Sequence, residues 1–111
     1  MKNIPNSITA HIDEVAGKLK KYPKLEKLYR NCYPNTLETT AEILPDGSTF
    51  LYTGDIPAMW LRDSTAQVTH YLPLTKNDPE IRSIIRGLIV RQLAYIRIDP
   101  YANAFNIEKN G

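Results

Sequence analysis

The residues with the most chemistry to offer lie together in "TGDIPAMWLRDSTAQ", Thr53 to Gln67. Asp55, Trp60, Arg62 and Asp63 fall within nine residues, beside Gly54 and Pro57. An arginine is a planar fork of donors, and an ionised aspartate only accepts. Side by side, the two can hold adjacent hydroxyls of a sugar, because each hydroxyl both gives and takes a hydrogen bond. Trp60 offers an apolar face to the C–H side of a pyranose ring. Asp55 is a second acceptor on backbone constrained by Pro57. A plainer role fits the same residues. Arg62 and Asp63 can be a surface ion pair of small worth, Asp63 can favour a helix start, and Trp60 can be core. The residues alone leave both readings open.

Other groups carry less. His11 and His70 are far apart, with no ligand spacing around either, and Cys32 is the only cysteine, so no metal site and no cofactor are expected. Ser64 and Thr65 lack a G-x-S-x-G elbow. Met59 reads as packing. Asn103 and Asn106, in "DPYANAFN", suit turn formation or amide hydrogen bonds to a polar ligand. Glu38, Glu42, Glu80 and Glu108 are acids, but the sequence pairs none of them with a second carboxylate.

The elements that must position these groups are mostly helical. Ile8, Ile12, Val15, Ala16 and Leu19 predict an amphipathic helix over about 7–21. Pro23 opens a shorter helix limited by Pro34. "TLETTAEIL" and "STFLYTG" flank the turn "PDG", which predicts a β-hairpin over roughly 38–53. Ser64 followed by Gln67 fits a capping box, so a helix is expected from near Ser64 to about Leu72, before Pro73. Asp78-Pro79 starts a long helix to about Ile98, and "YANAFN" follows as a loop. That long helix is apolar on most sides and expects more neighbours than the other elements supply.

Composition sets the frame. With 111 residues, 42% hydrophobic and 23% charged, the chain reads as one globular segment. Net charge is +2 with no Lys/Arg block, which argues against nucleic acid. The first twenty residues alternate apolar and charged positions, unlike a signal peptide, and no run is long enough for a bilayer. A reducing, cytoplasmic setting without membrane partners is the expectation. Uncovered apolar helix faces favour self-association.

At "DGSTFLYTGDIPAMWLRDSTAQVTHYL", Asp46 to Leu72, followed by "DPYANAFN", Asp99 to Asn106, the chain resembles the start of glycoside hydrolase family 125. These are exo-acting α-1,6-mannosidases, metal-independent and inverting. The patterns above predict a mainly α fold with one β-hairpin, and the resemblance implies that residues 1–111 are a single segment, the N-terminal part of an (α/α)6 barrel, a six-hairpin glycosidase-like toroid. It implies a mannose-containing oligosaccharide as partner, with Trp60, Arg62 and Asp63 lining the subsite for the terminal mannose and Asn103 and Asn106 nearby. It places the acid and base beyond residue 111, so the chain alone is expected to be inactive. Two rival readings accompany it: a non-catalytic carbohydrate-binding or interaction module, and a glucoamylase-like toroid acting on glucosides.

Overall fold

The apolar stripe of Ile8, Ile12 and Ala16 winds into helix α1, Asn6–Lys18, and turns inward. The computed structural model describes residues 4–54 and 56–107. It ends α1 before the expected Lys21, and two features explain this. The Leu19 N–H donates to the Ala16 carbonyl at 3.0 Å, tightening the last turn. Pro23 disfavours helical geometry at Tyr22, which sits at φ −127°, ψ 76°. Helix α2, Pro23–Cys32, then begins with its proline at the first position, where no N–H is needed.

The hairpin is shorter than expected. Residues Thr36–Thr40 form a single π-helical turn, and only Ala41–Ile43 (β1) and Thr49–Leu51 (β2) pair, antiparallel. The threonines that suggested strand explain the difference. Thr39 and Thr40 donate their hydroxyls to the carbonyls of Asn35 and Thr36, at 2.8 and 2.6 Å, which supports a helical turn instead. The expected turn does form. Gly47 takes φ +83°, and the Asp46 carboxylate accepts the Ser48 N–H at 2.9 Å.

Two further expectations need correction. Helix α3 is Leu61–Val68, so it starts before Ser64, and no side chain among the described residues caps it. The Ser64–Gln67 capping box does not form. Ser64 lies buried inside the helix, and its hydroxyl donates back to the Leu61 carbonyl at 3.1 Å. The segment "YANAFN" is not all loop. Met59–Trp60 (β3) pairs antiparallel with Ala104–Phe105 (β4), which follows the long helix. After α3 the chain tightens into a 3-10 helix, Thr69–Lys76, that runs through Pro73.

Helix α4, Pro79–Ile98, matches its sequence signals. The Asp78 carboxylate caps it by accepting the N–H groups of Glu80 and Ile81. The Ser7 hydroxyl and these backbone groups hold Asp78 below the usual carboxylate range. One side of α4 buries Ile81, Ile84, Ile85 and Leu88, facing the hairpin and the 3-10 helix, and Tyr95 against Phe105. The other leaves Ile89, Val90 and Leu93 about half exposed. The Cα radius of gyration is 15.2 Å, against about 13 Å for a compact domain near this length. The isolated chain is therefore expected to associate at micromolar concentration through this face. Sedimentation velocity checks it, and a monodisperse monomer would contradict it.

Gly87 lets α4 lie against the hairpin. A β-carbon there would stand 2.7 Å from Thr49 Oγ1 and 2.9 Å from the Gly47 carbonyl. Alanine would gain about 1 kcal/mol of helix propensity but meet overpacking of roughly 1–3 kcal/mol. The backbone carbonyl cannot step aside as a side chain would, so the clash outweighs the propensity. Gly87→Ala is expected to lower stability by up to about 2 kcal/mol net, read from the urea midpoint. A midpoint at or above that of the parent chain would refute the close approach.

Candidate functional site

The antiparallel pair β3–β4 joins the two chemistry-bearing segments, which lie some forty residues apart in sequence. Met59 opposes Phe105, and both are buried in the core. Trp60 opposes Ala104 on the other face, where both are partly exposed. The Leu61 N–H, at the start of α3, donates to the Asn103 carbonyl at 3.0 Å. A backbone partner from a distant loop thus satisfies a helix N-terminus that the sequence seemed to assign to a serine.

Arg62 and Asp63 occupy the first turn of α3. Their ion pair, Nε to Oδ1, is 3.4 Å, and the side chains are 82% and 47% exposed. Such a pair adds little stability in water. The Arg62 guanidinium also stands 6.0 Å from the Trp60 ring centroid. Asp63 is the acidic residue in the first turn of α3. An aromatic face, a donor fork and an acceptor pair therefore meet at one open edge. Asn103 and Asn106 are exposed and use their backbone carbonyls in structural bonds, to Leu61 and Tyr95. Asp55 lies outside the described residues.

Several residues that support this edge carried no sequence signal of function. The Thr53 hydroxyl accepts the Trp60 N–H at 3.0 Å and donates to the Ala58 carbonyl. Gln92 of α4 reaches α3, donating to the hydroxyls of Ser64 and Thr65 at 3.0 and 2.9 Å. Tyr95 is buried and stacks on Phe105, with ring centroids 4.5 Å apart. Burial raises its phenol above the ordinary range, while the hydrogen bond from Arg91 opposes the shift. Arg91 is itself buried, beside Tyr95. The spacing of Arg91 and Tyr95, four residues apart on one helix, was the available clue.

His11 and His70, unrelated in sequence, both pack against Tyr33, each with ring centroids 4.9 Å from it. Burial, with a smaller contribution from Tyr29, pushes the Tyr33 phenol up to about 12. The Glu42 carboxylate accepts the Tyr52 hydroxyl at 3.1 Å. Among the described residues, no three His, Cys, Asp or Glu side chains come together as metal ligands. No helix among them is long and apolar enough to cross a membrane.

Residues 22–111 match the family model described as metal-independent α-mannosidase. The chain belongs to glycoside hydrolase family 125. A metal-independent α-mannosidase of Streptococcus pneumoniae, solved in a non-productive complex with α-1,6-mannobiose, superimposes with a TM-score of 0.89 at 51% identity. The match covers 97% of this chain and 25% of that one. The meiotically up-regulated gene 157 protein of Schizosaccharomyces pombe is 40% identical over 107 residues, 93% of this chain and 21% of its own length. This family 125 chain therefore spans a quarter or less of the relatives it matches. Its β3–β4 pair lies inside the matched region.

Proposed function

We propose that this chain is one segment of an exo-acting α-mannosidase that removes terminal α-1,6-linked mannose with inversion. In this reading Trp60, Arg62 and Asp63 form part of the wall around the terminal sugar, with Asp55, Asn103 and Asn106 beside them. The carrying observation is the β3–β4 pair, which draws "MWLRD" and "YANAFN" to one exposed edge. The pneumococcal relative's complex with α-1,6-mannobiose supports the choice of sugar and linkage. The uncovered side of α4 supports residues 1–111 as a single segment of an (α/α)6 barrel, because further helices would bury Ile89, Val90 and Leu93.

Inversion needs one carboxyl to protonate the leaving oxygen and another to activate water, roughly 6.5–9.5 Å apart. No residue of this segment is assigned to that pair. Its part is binding and orientation, and the acid and base are proposed to lie elsewhere in the complete polypeptide. The test is an assay of that polypeptide on α-1,6-, α-1,3- and α-1,2-mannobiose, with proton NMR of the first-formed anomer. Preferential cleavage of the α-1,6 isomer, β-mannose appearing first and rates unchanged by EDTA are expected, together with no turnover by residues 1–111 alone. Hydrolysis restricted to glucosides, or sugar binding without turnover by the complete polypeptide, would overturn the proposal.

A further inference from the structure

Beyond the residues facing the sugar, we infer that Tyr95 and Arg91 of α4 are positioning residues that set where Trp60 and the start of α3 stand. This rests on the sugar-wall reading above. A two-residue strand pair is marginal by itself. Here its β4 side is fastened from behind. The Tyr95 hydroxyl donates to the Asn106 carbonyl at 2.6 Å and accepts from Arg91 Nη1 at 2.9 Å. Arg91 Nη1 also donates to the Ile107 carbonyl at 2.9 Å. The Tyr95 ring stacks on Phe105 with only 2° between planes. Phe105 pairs with Met59, Ala104 with Trp60, and the Asn103 carbonyl takes the Leu61 N–H. The "AFN" ribbon is thus held by α4 at one end and hands its register to β3 and α3 at the other. Neither Arg91 nor Tyr95 is exposed to a ligand, at 3% and 0%. They act only through the ribbon, and small misplacements of a binding group are costly to rate.

The test uses the complete natural polypeptide and Tyr95→Phe, which keeps the ring stack and removes the hydroxyl. Hydrogen–deuterium exchange is read on peptides covering residues 57–64 and on α1. Loss of one net hydrogen bond is expected to speed exchange of the Leu61 amide about fivefold and to lower kcat/KM on α-1,6-mannobiose by a similar factor. The α1 amides should be unchanged, and the melting temperature should fall by no more than about 4 °C. Unchanged Leu61 exchange overturns the inference. So does exchange that rises equally in α1, which would mark general destabilisation. If Tyr95→Phe does not fold, Arg91→Lys gives the same readout, since a single ammonium cannot reproduce the fork. If the parent polypeptide cleaves no mannoside, the sugar reading falls, while the exchange result still decides whether Tyr95 holds β3 in place.

Discussion

Arg91→Ala is expected to remove about 3 kcal/mol or more of folding stability. The guanidinium is buried and donates to four groups: the Ser48 hydroxyl at 2.8 Å, the Tyr95 hydroxyl and Ile107 carbonyl at 2.9 Å, and Asp46 Oδ2 at 3.2 Å. These partners come from the hairpin turn, α4 and the segment after β4. Removing one member of a buried charged pair typically costs about 3–5 kcal/mol. Asp46 is 46% exposed, so water can recover part of its loss and the lower end of the range applies. Small domains hold roughly 5–15 kcal/mol in total, so this loss is a large share of the stability. Arg91→Met separates two contributions, because it retains most of the apolar stem while losing every donor. Urea denaturation of the three proteins is the measurement. Alanine and methionine variants both within about 1 kcal/mol of the parent would show that the network carries no net stability.

Asp63→Asn and Arg62→Lys, each in the complete polypeptide, are expected to lower kcat/KM on α-1,6-mannobiose at least tenfold. A hydrogen bond to a charged group is worth about 1.5–3 kcal/mol, and about 1.4 kcal/mol is a factor of ten in rate. Arg62→Lys keeps the charge and loses the planar fork, so it tests geometry rather than charge. The open placement of the pair sharpens the experiment. With Arg62 82% exposed and its ion pair in water, neither substitution should move the melting temperature of the segment appreciably. A purely structural pair predicts the reverse, with a lower melting temperature and near-normal kinetics. Wild-type rates in both variants would remove Arg62 and Asp63 from the sugar wall.

Features with local causes were legible along the chain. Asp78-Pro79 and Asp99-Pro100 bracket α4 because a carboxylate cap and proline act on their immediate neighbours. Pro23 starts α2, and the Asp46-Gly47 turn forms, for the same reason. The excess of apolar residues around α4 was also legible, because periodicity counts faces without needing to know what covers them. Features that depended on distant partners were settled by packing. Thr39 and Thr40 are a mixed case: the carbonyls they bond, of Asn35 and Thr36, are local, but the same residues suit a strand, so local bonding alone did not choose. Ser64 had the look of a cap, but the Asn103 carbonyl supplied the hydrogen bond at the helix start and Ser64 moved inside. Trp60 and Asn103 became neighbours because a two-residue strand pair forms only where buried contacts such as Tyr95 on Phe105 hold it. Arg91 looked like one more charge on a helix, and its burial required the hairpin, the helix and the segment after β4 to converge on it. Local bonding reads along the chain, whereas the position of a binding group is set by contacts between residues that the sequence keeps far apart.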